Sequence, residues 1–242
     1  MHPLCGLFSP GGAKKDHTIN KKYHCVMIAA IIPVKALPLA KSRLGALLSG
    51  PERRALVLAM LGDVLAASSA ARNIDHVGVI SADPTVLALA AARGAQALPD
   101  HAHDLNAALT QAATHFAAHG AVAVLALPAD IPLVQSRDID DLIAARSTAR
   151  GMVISPSRDG GTNALLAWPP LALPFLFGVG SRMRHLAAAH ERRLEVREFR
   201  TPGLELDVDH PDDLLLLAET DGETETQRLI RELCVAERVM CV

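Results

Sequence analysis

The 242-residue sequence has few aromatic side chains and no excess of either charge sign. Aromatic residues make up 3% of the chain and hydrophobic residues 50%, so we expect a core packed from aliphatic side chains. The 24 basic and 26 acidic residues give a net charge of −2. This balance gives no overall electrostatic argument for a nucleic-acid partner, and we expect none.

Cysteines are scarce and lie near the two ends of the chain. They form no CxxC pair, so their spacing predicts neither a zinc site nor a disulfide framework. We therefore expect reduced thiols and a cytoplasmic protein. The four are Cys5, Cys25, Cys234 and Cys241.

The sequence also lacks a hydrophobic run long enough to span a membrane. The best candidate, Ala164–Phe177, is shorter than the roughly 20 residues that a membrane helix needs, and prolines interrupt it. Residues 1–26 are rich in Gly, Pro and Lys and lack the apolar core of a secretory signal. We expect these residues to form a poorly ordered extension and residues 27–242 to form the folded domain, with Met27 as a candidate start.

From Ile28 onward, short apolar runs alternate with longer helical patterns. This alternation predicts one α/β domain with a mostly parallel sheet that helices cover on both faces. The unbroken apolar run Ala121–Leu127 is typical of a central strand. The expected strands are Ile28–Val34, Asp75–Ser81, Ala95–Leu98, Ala121–Leu127, Met152–Ser155, Ala164–Trp168, Glu195–Phe199 and Leu204–Val208. The expected helices are Glu52–Ala71, Pro84–Arg93, Leu105–His119, Asp138–Ala145, Ser181–Arg192 and those from Pro211 onward.

Charged residues follow the first two expected strands, where doubly wound folds bind their ligands. Lys35, Lys41 and Arg43 follow the first strand, and cations beside a helix N-terminus are suited to a polyphosphate. The alternative is a solvated basic loop. Asp83 follows the second strand and is a further candidate for nucleotide binding.

Carboxylates follow two later strands. Asp130 ends the apolar run at Leu127, where a charge is costly unless it is paired or binds a metal; otherwise it is a turn residue before Pro132. Asp207 and Asp209 are two residues apart on an expected extended segment, so their side chains point to the same side. The two negative charges would repel each other, and a divalent cation would relieve this repulsion. Oxygen ligands favour Mg²⁺. The alternative is that Asp209 or His210 caps the following helix, which leaves Asp207 for the metal.

Two glycine-rich segments are candidates for binding a smaller anion. Gly178–Ser181 places flexible backbone and a serine, expected at the cap position, before a helix. Residues 159–163, Asp-Gly-Gly-Thr-Asn, form an expected tight turn that exposes amides and the hydroxyl of Thr162. A glycine-capped helix without function and a plain hairpin turn are the respective alternatives. The histidine pairs His115/His119 and His101/His103 are more typical of solvated surfaces than of metal sites.

Five ordered motifs resemble the 2-phospho-L-lactate guanylyltransferases of coenzyme F-420 biosynthesis and their phosphoenolpyruvate-using relatives. The resemblance extends from Met27 to about Glu219. It implies a single Rossmann-like nucleotidyltransferase domain that uses GTP and Mg²⁺, transfers GMP to a small phosphorylated carboxylic acid and releases pyrophosphate. The motifs are IPVKALPLAKSRL, LPADIPLV, SRDGGTNALL, FGVGSRMRHL and LDVDHPDDL.

The resemblance also implies roles for individual residues. Lys35, Lys41 and Arg43 correspond to triphosphate-binding residues, with Lys41 and Asp130 as the catalytic candidates. Asp130 corresponds to one metal ligand and Asp207 or Asp209 to another. The implied acceptor site consists of Thr162, Gly178 and Ser181.

The identity of the acceptor stays open among 2-phospho-L-lactate, phosphoenolpyruvate and 3-phosphoglycerate. Where the family's loop reads FGPGS, this chain has Val179 in place of the proline. The substitution keeps both glycines but removes the restraint that proline places on the backbone. Another nucleotidyltransferase of the same fold, of the molybdopterin or sugar-phosphate type, and a non-catalytic nucleotide-binding protein are the rival interpretations. We expect no nucleic-acid or membrane partner, and a homodimer is the candidate assembly.

Overall fold

A mixed sheet runs through the computed structural model, which describes residues 27–240 except 103, 148 and 149. The expectations for residues 1–26, His103, Cys5, Cys25 and Cys241 lie outside the described residues. The strands are β1 Ile28–Pro33, β2 His76–Ser81, β3 Gln96–Pro99, β4 Ala123–Ala126, β5 Gly151–Pro156, β6 Thr162–Trp168 and β7 Glu195–Glu198. Their order in the sheet is β3-β2-β1-β4-β6-β5-β7, and every strand except β6 runs in the same direction.

Helices cover both faces of this sheet, as the alternating pattern predicted. In β1, Ile28 and Ile32 pack into one core cluster, and Ala29 and Ile31 pack into the other. The helices are α1 Gly50–Ala70, α2 Pro84–Ala92, α3 Leu105–Ala118, α4 Ser136–Ala144, α5 Ser181–Glu191, α6 Pro202–Glu205, α7 Pro211–Glu219, α8 Glu225–Glu232 and α9 Val235–Met240. The first cluster contains residues of α1, α2, α4, α7 and α8, and the second contains residues of α3 and α5.

The central strand is confirmed as β4. It pairs with β1 on one side and with β6 on the other, and each of its four residues is buried. A strand covered on both faces loses contact with water along its whole length, which explains its continuous apolar run. The single-domain α/β class is likewise confirmed.

The predicted strand Leu204–Val208 is wrong. Residues 202–205 form the short helix α6, in which Pro202 occupies the first turn, where its missing N–H is no disadvantage. The carbonyl oxygens of Leu204 and Glu205 accept hydrogen bonds from the side-chain amide of Asn163, so a side chain rather than a strand satisfies them.

The candidate residues lie at one end of the strands, which we call the carboxyl edge of the sheet. β1, β2 and β4 end at this edge, and β6 begins there because it runs antiparallel to β4. Thr162, the first residue of β6, therefore lies at the same edge as the loops that carry Lys41 and Asp130. Within the described ranges, we find no helix with the length and apolarity that a membrane span requires.

Candidate active site

The basic loop after β1 contains two short turns of 3-10 helix, at Leu37–Leu39 and Ser42–Leu44. The side chains of Leu37 and Leu44 are buried, and the backbone N–H of Leu37 donates to Asp83 at 3.1 Å. Between the two turns, Lys41 adopts a left-handed backbone with φ 51°. A non-glycine residue in this conformation is uncommon and points to a local constraint.

The side chain of Lys41 contacts a pair of carboxylates. Its ammonium nitrogen lies 2.5 Å from Asp130 Oδ2 and 2.8 Å from Asp209 Oδ1, and its side chain is only 9% exposed. Arg43 approaches the other oxygen of Asp209 at 3.4 Å. The structure thus brings together four of the residues that the sequence predicted, from three separate segments of the chain.

Electrostatics in this cluster favour the charged forms of Lys41 and Asp209. Burial lowers the pKa of Lys41, but Asp130 and Asp209 more than offset this effect and raise the pKa above its usual value. Burial raises the pKa of Asp209, but Lys41 and then Arg43 more than offset it, so that this pKa is lowered. The two carboxylates share one buried cation, and a negative pair without a cation would be costly.

Asp207 is placed differently from Asp209. Its Oδ1 accepts from the side-chain amide of Asn163 at 3.2 Å, and burial, with Asp130 nearby, raises its pKa. His210 caps α7 together with Asp213, so the capping role falls to His210. The geometry therefore favours Asp209, rather than Asp207, as the residue that acts together with Asp130.

A divalent cation is compatible with this donor set. Among the described residues, no group of three or more His, Cys, Asp or Glu side chains is arranged to hold a metal. However, Mg²⁺ in nucleotide sites is commonly bound by one or two carboxylates plus substrate phosphates. The carboxylates of Asp130 and Asp209 both contact Lys41 Nζ, so they are close enough to contact one bound cation together.

A cleft of about 830 Å³ opens beside this cluster. Its lining includes Lys35, Lys41, Arg43, Asp130 and Asp209, and Lys35 is exposed there. The volume lies within the range typical of small-molecule sites. Three cationic side chains therefore surround a space that could hold a nucleoside triphosphate.

Asp83 has a structural role next to Ala82, which lines this cleft. Asp83 caps α2, because one of its carboxylate oxygens accepts a hydrogen bond from the N–H of Thr85. The other oxygen accepts from the N–H of Leu37 in the basic loop. Although burial raises its pKa, these backbone donors lower it overall. Asp83 thus anchors the loop that carries Lys35 and Lys41, and its direct contact with the nucleotide stays a prediction.

The predicted acceptor residues also converge. The hydroxyl oxygens of Thr162 and Ser181 lie 3.0 Å apart and both side chains are buried. Gly178 has φ 116°, which favours glycine, and a Cβ built there would lie 3.3 Å from the guanidinium of Arg184.

The expectation that Ser181 caps the helix is wrong. Gly180 is the N-cap, because its left-handed backbone starts α5, and the Ser181 side chain turns inward to Thr162.

Three further residues, none of them a predicted site residue, position these segments. Asn163 holds the backbone before Asp207, and Asn106 forms two hydrogen bonds with the backbone of Phe177. His185 is fully buried and reaches Thr162. A signal existed for His185, because it lies four residues after Ser181 and hence on the same helix face.

The chain is similar to a known family and to several known proteins along most of its length. The family described as "Guanylyl transferase CofC like" matches residues 28–239. A phosphoenolpyruvate guanylyltransferase from Roseiflexus sp. (strain RS-1) is 44% identical over 206 residues, which are 85% of this chain and 91% of that protein. A 2-phospho-L-lactate guanylyltransferase from Methanothermobacter thermautotrophicus is 40% identical over 205 residues, which are 84% and 90% of the two chains.

A solved structure shares the fold at much lower identity. It is described as a nucleotide-diphospho-sugar transferase from Desulfovibrio desulfuricans and superposes with a TM-score of 0.73 at 17% identity, covering 87% of this chain and 97% of that one. Identity this low supports a common fold and carries no information on the substrate.

Proposed function

Because this chain belongs to the family of CofC-like guanylyl transferases, we propose that it transfers GMP from GTP to the phosphate of a small phosphorylated carboxylic acid and releases pyrophosphate. The observation that carries the proposal is the 44% identity to a phosphoenolpyruvate guanylyltransferase over 85% of the chain. The convergence of Lys41, Asp130 and Asp209 beside the cleft supports it independently.

The reaction needs little acid–base chemistry from the protein. A phosphate monoester has its second pKa near ~6, so at neutral pH its oxygens are already nucleophilic. One of these oxygens attacks the α-phosphorus of GTP, and a new P–O–P bond forms. The bond from the α-phosphorus to the bridging oxygen breaks, and its electron pair leaves with pyrophosphate. The protein must therefore align two anions and offset their repulsion.

We assign the basic loop to the nucleotide. Lys35, Lys41 and Arg43 would contact the triphosphate and stabilise the charge that develops on the leaving pyrophosphate. Lys41 is the strongest candidate because it is buried and already contacts both carboxylates. When a nucleotide and a cation are bound, the ammonium of Lys41 would contact phosphate oxygens in place of the carboxylate oxygens.

We further propose Mg²⁺ as the cofactor, held by Asp130 and Asp209. When bound, it would neutralise phosphate charge between the two substrates. Asp207 would then lie beside the site, where its hydrogen bond to Asn163 keeps the segment before Asp209 in place. The acceptor acid is assigned to Thr162, Gly178 and Ser181, because an anion is stabilised by hydroxyl donors and by the N-terminus of α5.

The acceptor would be phosphoenolpyruvate, 2-phospho-L-lactate or 3-phosphoglycerate, and the product would enter coenzyme F-420 biosynthesis. We place phosphoenolpyruvate first, because the 44%-identical relative bears that name. Incubating the enzyme with each nucleoside triphosphate and each acid, with and without Mg²⁺, tests the proposal through pyrophosphate release. Turnover with GTP, Mg²⁺ and one of these acids is expected. Turnover with a sugar phosphate instead would contradict the proposal.

A further inference from the structure

The buried imidazole of His185 joins two segments of the predicted acceptor site. The backbone N–H of Leu176 lies 2.9 Å from Nε2, and Nδ1 lies 3.2 Å from Thr162 Oγ1. A backbone N–H can only donate, so Nε2 must accept. A neutral imidazole whose Nε2 accepts carries its proton on Nδ1, and this nitrogen therefore donates to Thr162.

His185 is held in the neutral form. Its side chain is fully buried, and burial, followed by the positive charge of Arg184, lowers its pKa to about 4. The ring of Phe177 packs edge-on against it at 5.1 Å between centroids and closes one side. At neutral pH the imidazole therefore has one N–H, and the Leu176 amide determines which nitrogen carries it.

The position of this proton decides how many hydroxyl protons remain for a ligand. Thr162 and Ser181 have one hydroxyl proton each, and one of the two forms the 3.0 Å hydrogen bond between them. If Nδ1 were an acceptor, Thr162 would donate to it, Ser181 would donate to Thr162, and no hydroxyl proton would remain. With Nδ1–H as the donor, one hydroxyl proton of the pair stays available.

We propose that His185 is a positioning residue for the acceptor site, whose donation to Thr162 reserves one hydroxyl proton of the Thr162–Ser181 pair for an anionic group of the acid. The proposal rests on the proposed function, since it assumes that these hydroxyls face the acceptor. It extends that function by adding a residue that touches neither substrate and acts through Thr162.

The tautomer can be measured in the unmodified protein. Nitrogen-15 NMR of histidine-labelled enzyme at neutral pH should show His185 with a protonated Nδ1 and an unprotonated Nε2. A His185 that carries its proton on Nε2 would overturn the proposal, whatever the variants do. This measurement needs no turnover.

A double-mutant cycle separates positioning from a general structural role. His185→Met has no N–H or O–H, so it removes the donor to Thr162 and leaves only a weakly accepting sulfur for Leu176. We expect the acceptor KM to rise about three- to ten-fold with the GTP KM unchanged. Thr162→Val removes the hydroxyl and should have a similar or larger effect. Because His185 acts through Thr162, adding His185→Met to Thr162→Val should change the acceptor KM little further. Thr162→Ser, which keeps the hydroxyl, is the matched control.

The outcomes distinguish this inference from the proposed function. Effects that multiply in the double variant, or a GTP KM that rises together with the acceptor KM, would show that His185 merely supports the fold. A wild-type enzyme without acid-dependent turnover would refute the proposed function itself. An active enzyme with the wrong tautomer would refute only the role of His185.

Discussion

Replacing Lys41 by methionine should destabilise the ligand-free protein and, at the same time, make it respond more strongly to Mg²⁺. Methionine fills a similar volume but leaves Asp130 and Asp209 facing each other without their shared cation. Lys35→Met is the matched control, since it removes the same charge from an exposed side chain of the same loop.

The size of the effect follows from the exposure of the three side chains. Removing one partner of a fully buried ion pair costs about 3–5 kcal/mol, whereas an exposed pair contributes about 1 kcal/mol or less. The Lys41 side chain is 9% exposed, but those of Asp130 and Asp209 are 27% and 43% exposed, so water can solvate the carboxylates that remain. We expect a loss of about 1–2 kcal/mol, which for a protein of this size lowers Tm by roughly 2–8 °C.

Thermal unfolding with and without millimolar Mg²⁺ is the assay. A cation that binds only the folded state stabilises it by mass action, and in Lys41→Met it no longer competes with an ammonium. Mg²⁺ should therefore raise the Tm of Lys41→Met more than that of wild type or Lys35→Met. If Lys41→Met melts like wild type, or if Mg²⁺ stabilises all three proteins equally, the two carboxylates do not form the cation site.

Three other perturbations test the rest of the account. Asp209→Asn should abolish turnover while Asp207→Asn retains part of it, and the reverse order would exchange their roles. Ser181→Ala should raise the acceptor KM about ten-fold with little change for GTP, since a hydrogen bond to a charged group contributes about 1.5–3 kcal/mol, and a defect confined to GTP would invert the two sites. Folding lowers the pKa of His185 from 6.5 to about 4, so between these pH values the unfolded chain binds one more proton than the folded protein. The free energy of unfolding should therefore fall by up to about 3 kcal/mol as the pH drops from 6.5 to about 4. Urea unfolding of His185→Gln should lose this slope, and an unchanged slope would assign it to other groups.

The fold could be predicted because its strands carry a strong local signal. β4 is buried on both faces, so its sequence is apolar throughout, and its position between two other strands follows from that burial. The failure at Leu204–Val208 has a tertiary cause. The carbonyl oxygens of that segment bond to Asn163, which lies 41 residues before Leu204, and no local pattern encodes such a contact.

The candidate site was predictable in its members but not in its contacts. The rule that ligands bind at strand ends in this class of fold pointed to Lys41 after β1 and to Asp130 after β4. Asp209 was singled out after an expected strand whose first residues are helical in the structure. That Lys41 bridges the two carboxylates, 89 and 168 residues away in the chain, depends on how the loops pack. The tautomer of His185 depends in the same way on one backbone N–H in a separate loop.

The most direct test of guanylyl transfer at this cleft is to identify the product that wild type and Asp130→Asn make from GTP and the preferred acid in the presence of Mg²⁺. Phosphorus-31 NMR of the wild-type reaction should show a new P–O–P linkage between GMP and the phosphate of the acid, with one pyrophosphate released for each product formed. Asp130→Asn should remain folded and make essentially none. Release of inorganic phosphate without this linkage, or near-normal product formation by Asp130→Asn, would contradict the account.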